Sequence, residues 1–245
     1  MIAALQPAQT AVPRDIGFFE WFFDSATWTG SSGILASLVD TVILCAVATA
    51  AAAVVAVPIA AVLAHYRKAQ VASTWLVSLS RAVPTFAIAA LLVPWSLRRG
   101  WGFEPWPIFI ALFLLAVVPI YLNTYVAIRQ VPGGSVDAAR ALGCSEASVL
   151  GRVEFALGAS LILAGIRVAA IQVVATEPIR AFLGGDGLGR YVRDGFGQNN
   201  TTLVIGGIVL IGALAALTGL GFVLLERLVL PTGVRRLVRQ GDKQP

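Results

Sequence analysis

Residues able to do chemistry are scarce in this 245-residue chain, and their spacing excludes several reactions at once. His65 is the single histidine, and Cys45 and Cys144 are the two cysteines. These three cannot complete a closed four-ligand zinc site or a disulfide framework, so no metal site is expected. Cys45 lies in an apolar run and Cys144 in a polar stretch, which argues against their pairing. The two lysines, Lys68 before Ala69 and Lys243 before Gln244, cannot close a GxxxxGK[ST] phosphate loop, so the chain does not bind ATP in that way. The segment Gly184-Gly185-Asp186-Gly187-Leu188-Gly189-Arg190 fails GxGxxG because Arg190 stands in the last glycine position. A gating turn, a contact for another protein or a plain flexible loop remain open for it. His65, at the end of an apolar run, is a poor candidate for a general base. What remains is a set of charges inside apolar stretches, Arg81, Arg167, Glu177 and Arg180, with the polar Asn123, Gln172 and Thr176.

The elements that carry these residues follow from composition. Hydrophobic residues make up 58% of the chain and charged residues 13%, against about 25% charged in soluble domains. Mean hydropathy is +0.82. Such a chain is neither an ordinary soluble domain nor disordered. It is expected to be all-α, a polytopic membrane helix bundle. About 20 apolar residues cross a bilayer core of about 30 Å. Residues 41–64, 105–128 and 195–225 carry no charge, whereas 71–97 holds Arg81 and 157–183 holds Arg167, Glu177 and Arg180. These segments predict about five transmembrane helices.

An odd number of spans puts the termini on opposite sides. With the N-terminus outside, the inner side receives ten basic residues: Arg67, Lys68, Arg129, Arg140, Arg152, Arg227, Arg235, Arg236, Arg239 and Lys243. The outer side then receives six, Arg14, Arg98, Arg99, Arg180, Arg190 and Arg193. That bias favours the N-terminus outside and the C-terminus inside. It also assigns the net charge of +5 to retained basic loops rather than to nucleic-acid binding. Residues 1–33 lack the basic start of a cleavable signal and are rich in Phe and Trp, so they predict an interfacial N-terminal segment. The bundle is expected over 34–232, followed by a polar tail over 233–245.

A charge at the bilayer centre costs about 2.5–3.5 kcal/mol on insertion scales, so each must face protein, a cavity or the interface. Arg81 is close enough to the inner edge to snorkel, and Arg167 is expected to pair within the bundle. Glu177 precedes Pro178, which loosens a helix and frees carbonyls; a cavity-lining carboxylate and an i,i+3 salt bridge with Arg180 are both open. Asn123, Gln172 and Thr176 line a pathway or bond between helices.

The stretch over 130–154 is the most informative loop. Pro132-Gly133-Gly134 should end one helix, with Ser135 as N-cap of a short new one and Asp137 in its first turn. Ala138, Ala139 and Ala141 predict a smooth face that another protein can approach. Gly143 should stop that helix, and Ser145 should cap the next. The expected result is a two-helix tab on the basic side of the membrane.

Asp137-Ala138-Ala139, three residues and then Gly143 resembles the acidic-Ala-Ala-x-x-x-Gly core of the EAA loop of ABC-importer permeases. Arg81-Ala82-Val83-Pro84-Thr85, Leu122-Asn123-Thr124-Tyr125, Leu163-Ala164-Gly165-Ile166-Arg167 and Gly187-Leu188-Gly189-Arg190-Tyr191 are similar to landmarks of the osmoprotectant subgroup, over about residues 18–232. The resemblance implies a type I ABC-importer permease fold and a multi-pass subunit of a bacterial inner membrane without its own ATPase. ATP and Mg would be bound by a cytoplasmic ATPase dimer. A second permease and an extracytoplasmic binding protein would complete the system, and the cargo would be a small quaternary amine such as glycine betaine, choline or carnitine. It assigns Asp137, Ala138, Ala139 and Gly143 to ATPase coupling. Arg81, Pro84, Thr85, Asn123, Gln172, Thr176 and Glu177 become pathway candidates, and Gly187 and Gly189 an outer gate or binding-protein contact. A quaternary ammonium donates no strong hydrogen bond, so its site would use aromatic faces and one carboxylate, a role open to Glu177.

The chain departs from that pattern in several places. Asp137 replaces a glutamate, Ala156 and Ser160 replace prolines, and Asp186 replaces a glycine. Glu177-Pro178-Ile179-Arg180 stands where small or neutral residues are usual. Such changes fit one specialised half of a heterodimer. The competing functions are an ABC permease for an amino acid or phosphonate, an ion-coupled secondary carrier, a membrane hydrolase and a scaffold. A carrier would need an ion site and repeat symmetry, neither of which is visible.

Overall fold

The computed structural model describes residues 17–68, 84–103 and 105–229. Every regular element among them is helical. The described residues open with two short helices, α1 (Phe18–Phe23) and α2 (Ser25–Trp28). The bundle follows as α3 (Ile34–His65), α4 (Thr85–Arg98) and α5 (Trp106–Arg129). Next come α6 (Gly133–Ala141), α7 (Glu146–Ser148), a π-helical turn over Val149–Glu154 and α8 (Phe155–Thr176). The described residues end in α9 (Ile179–Phe182), α10 (Gly189–Gln198) and α11 (Thr201–Val229).

Four helical stretches among the described residues are long and apolar enough to cross a membrane: α3, α5, the run from α7 to α9, and α11. The segment predicted over 71–97 is described only in its second half, as α4; Arg81 lies outside the described residues. The other boundaries shift for physical reasons. Helix α3 begins seven residues before the charge-free run at 41 and includes Asp40, because Arg180 pairs with that carboxylate. The run predicted from 195 to 225 is broken at Asn199, which adopts a left-handed φ of 52° and ends α10 before α11 starts at Thr201.

The core is built on small residues. Ala48, Ala52, Ala56, Ala60 and Ala64 recur every four positions along α3 and are all buried. A four-residue repeat makes one stripe on a helix, and a stripe of methyl groups lets two backbones approach closely. Ala111, Leu112, Ala116 and Ile120 of α5 are buried in the same cluster. On its other flank α5 meets α8, where a Cβ on Gly165 would stand 2.5 Å from Asn123 Cβ. The bundle centre is therefore α3, α5 and α8, with α4 along α5 and α11 against α8.

The N-terminal aromatic segment is split between inside and outside. Trp21 is buried and packs against Tyr191 with ring centroids 5.7 Å apart, while Phe19 and Phe23 are exposed. Trp28 donates its indole N–H to the Phe22 carbonyl at 2.6 Å. This cluster, with Ile34, Leu188 and Leu203, seats α1 on α10 and α11.

Candidate functional site

The stretch over 130–154 folds as a two-helix tab. Helix α6 starts at Gly133, with Pro132 as its N-cap and no side-chain cap. Ser135 therefore lies inside the helix rather than capping it, and Asp137 falls past the first turn. Gly143 follows the C-cap Leu142 at φ +82°, a conformation that L side chains rarely adopt, and reverses the chain. Ser145 caps α7 by accepting from the Ser148 amide at 3.4 Å. Val136 and Ala139 turn inward onto Val149 and form a small core.

The predicted smooth face is thereby divided. Ala138 and Ala141 are exposed with Asp137 and Leu142, whereas Ala139 is only 8% exposed and packs inside the tab. The outward surface of α6 is thus acidic and small, ending in Leu142, which is 85% exposed. Arg140 grips Glu146 across the Gly143 turn through Nε–Oε1 and Nη2–Oε2, both at 2.9 Å. Its Nη1 lies 3.6 Å from Asp137. The bond raises the Arg140 pKa above its ordinary value and lowers that of Glu146, so the clamp that joins the two helices is ionised at neutral pH.

At the base of the tab, the last residue of α3 enters the same network. His65 Nε2 lies 2.9 Å from Glu146 Oε2, and Nδ1 lies 2.7 Å from Glu154 Oε2. A cavity of about 420 Å³ lies among the end of α5, the start of α8 and α11, lined by residues including Gln130, Pro132, Gly158, Ser160 and Glu226. Above it, Arg167 Nη1 pairs with Glu226 at 3.6 Å, the pairing within the bundle that its depth implied.

A second polar network lies at the other end of α3. Glu177 is fully buried and takes Arg180 Nε at 3.0 Å, the i,i+3 salt bridge. Thr41 donates to Glu177 Oε2 at 3.3 Å and accepts from the Leu188 amide at 3.0 Å. Arg180 also bonds Asp40 and, at 3.0 Å, the Asp186 carbonyl. Gly187 sits over this network at φ +91°, where a Cβ would fall 2.5–2.8 Å from Arg180, Glu177 and Thr41. Gly189 is pressed against the Pro178 backbone, where a Cβ would stand 2.3 Å from the carbonyl oxygen.

The structure therefore brings Glu177, Gly187 and Gly189 together and spreads the other described pathway candidates, Pro84, Thr85, Asn123, Gln172 and Thr176, over three helices; Arg81 lies outside the described residues. Pro84 caps α4, and Thr85 begins it. Asn123 donates to the Pro119 carbonyl of its own helix α5 at 2.8 Å. Gln172 is exposed on α8 in one stripe with Val168 and Ala175, and Thr176 is half-buried at the helix end. Sequence reasoning missed His65, Glu146 and Glu154 as a unit. The available signal was the eight-residue spacing of the two glutamates, close to two helical turns, behind a histidine ending an apolar run.

Comparison with known proteins bears on this architecture. The family model described as "Binding-protein-dependent transport system inner membrane component" matches residues 52–232. The choline transport system permease protein OpuBB of Bacillus subtilis (strain 168) is 32% identical over 183 residues, covering 75% of this chain and 82% of that protein. The carnitine transport permease protein OpuCB of Listeria monocytogenes is 29% identical over 188 residues, covering 77% and 84%. Among solved structures, an inward-facing conformation of the MetNI methionine ABC transporter is similar in fold, with a TM-score of 0.69 at 17% identity over 81% of this chain and 96% of that one. The expected type I importer permease fold is thus found. The chain belongs to the family of inner membrane components of binding-protein-dependent transport systems, and is a multi-pass membrane protein.

Proposed function

We propose that this chain is a permease subunit of an ATP-driven importer for small quaternary amines of the choline, glycine betaine and carnitine class. The observation that carries the reading is the tab, whose outward face of Asp137, Ala138, Ala141 and Leu142 is held by an internal clamp and offered to another protein. We assign that face, with the Gly143 turn and the supporting Ala139, to docking on a cytoplasmic ATPase that binds ATP and Mg. The names of the choline and carnitine relatives support the cargo class.

In this reading the N-terminus lies outside, and the tab and C-terminus lie inside. A second permease, alike or different, completes the pathway, and an extracytoplasmic binding protein delivers the cargo. Arg81, Pro84, Thr85, Asn123, Gln172 and Thr176 contribute to the route. Glu177, engaged by Arg180 and Thr41, holds the outer turn that carries Gly187 and Gly189. The chain hydrolyses no ATP itself.

The test is uptake of labelled choline by proteoliposomes holding the purified complex. Uptake is expected only with the ATPase, ATP and binding protein together. Uptake by this chain alone, driven by an ion gradient, would overturn the proposal.

A further inference from the structure

We propose that His65 is a positioning residue that ties α3 to the tab, so that tab motion reaches the far end of the bundle through α3 as well as through α8. The inference rests on the tab being the ATPase-docking element.

Three observations carry it. First, both ring nitrogens face carboxylate oxygens, Nε2 to Glu146 at 2.9 Å and Nδ1 to Glu154 at 2.7 Å. An ionised carboxylate only accepts, so a ring N–H on either side of the imidazole donates to one, and such a bond is charge-assisted. The ring is 2% exposed and Glu154 7%, so water does not compete well for that bond, while Glu146 is 47% exposed on the tab side. A helix-terminal histidine that merely answered the helix dipole would turn to the last carbonyls of its own helix. This ring instead spends both nitrogens on residues 81 and 89 positions away in sequence.

Second, the bridge closes a circuit around the hinge. Arg140 of α6 holds Glu146, Glu146 holds His65 of α3, and His65 holds Glu154 at the foot of α8. Along the chain alone, the tab joins α8 only through the π-helical turn Val149–Glu154. Such turns interrupt the regular ladder and frequently mark functional sites. His65 bypasses that turn.

Third, α3 reaches the other network. Asp40 and Thr41 of the same helix hold Arg180, Glu177 and the Leu188 amide. From Asp40 to His65 a helix rises about 38 Å at 1.5 Å per residue. A continuous helix gripped at both ends, here one that carries Pro58 within it, is an element through which distant sites can couple, and the coupling itself must be measured.

The experiment places spin labels at Tyr66→Cys on the end of α3 and Ser135→Cys on α6, with Cys45 and Cys144 replaced. Both label positions are exposed. Distances are read in the assembled complex, nucleotide-free and ATP-bound. With His65 present, one distance is expected in both states. In His65→Ala the two states should differ by about 2 Å or more, the scale of helix shifts in switching transitions. His65→Arg, whose guanidinium presents donors to two carboxylates at once, should restore the single distance. If His65→Ala does not fold, Glu146→Gln at the tab side of the bridge carries the same expectation. A single unchanged distance in His65→Ala, a nucleotide-dependent distance with His65 present, or failure of His65→Arg to restore it would overturn the inference. A complex that carries no ATPase would overturn the docking reading, and the inference with it.

Discussion

At the scale of single residues, two positions have roles fixed by backbone or burial rather than by composition. Gly143 turns the tab at φ +82°, a conformation that costs an L residue about 1–2 kcal/mol, and nothing crowds its Cβ position. Gly143→Leu is therefore expected to insert and fold while the tab is set at a wrong angle. Uptake per ATP hydrolysed should fall severalfold with ATP hydrolysis retained. An unaltered ratio would contradict the role assigned to the turn. Arg180 is the second case. Its removal leaves the buried Glu177 without its cation, and breaking a buried pair costs about 3–5 kcal/mol. Arg180→Ala should lower the thermal midpoint of the detergent-solubilised protein well below that of Glu177→Gln, which deletes a charge instead of stranding one. Equal midpoints would show that the network adds little.

At the scale of elements, packing is set by how closely the small-residue faces approach. A side chain at Gly165 would meet Asn123 Cβ at 2.5 Å and the Pro119 carbonyl at 3.2 Å, so Gly165→Leu must push α5 and α8 apart. Its expected outcome is a poorly folded protein, seen as loss of the monodisperse peak in size-exclusion chromatography; Gly212→Leu, where nothing stands within 4 Å, should be tolerated. The sequence made much of this level legible. Apolar runs over 41–64 and 105–128 identify α3 and α5 because lipid demands uninterrupted apolar length. The Pro-Gly-Gly break, Gly143 and Ser145 mark the tab because turns and caps have local chemistry. Contacts between distant segments were not legible. Asp40 reads as lying outside its helix because its partner is 140 positions away. His65 reads as idle because its two carboxylates arrive from across the fold, and no local rule pairs them. The phase of α6 is likewise not set locally. Whether Ala138 or Ala139 faces outward depends on Val149, which lies beyond the turn.

At the scale of the whole molecule, the arrangement is an axis of three closely packed helices with a polar network at each end. One network braces a projecting tab, and the other holds the turn over Gly187. Orientation follows from which end meets the cytoplasm. Cys144 is exposed on the tab and Cys45 is buried in the bundle. A membrane-impermeant maleimide is therefore expected to label Cys144 only in inside-out vesicles and to leave Cys45 unmodified. Labelling of Cys144 in right-side-out vesicles would invert the topology and place the tab on the wrong side for an ATPase.

The most direct measurement is photo-cross-linking from Leu142, an apolar side chain 85% exposed on the tab, in the intact complex. With a photoreactive residue at that position, the principal adduct is expected to be the ATPase subunit, with a yield that changes between nucleotide-free and ATP-bound states. Adducts with lipid or with other membrane subunits alone, in both states, would contradict the account.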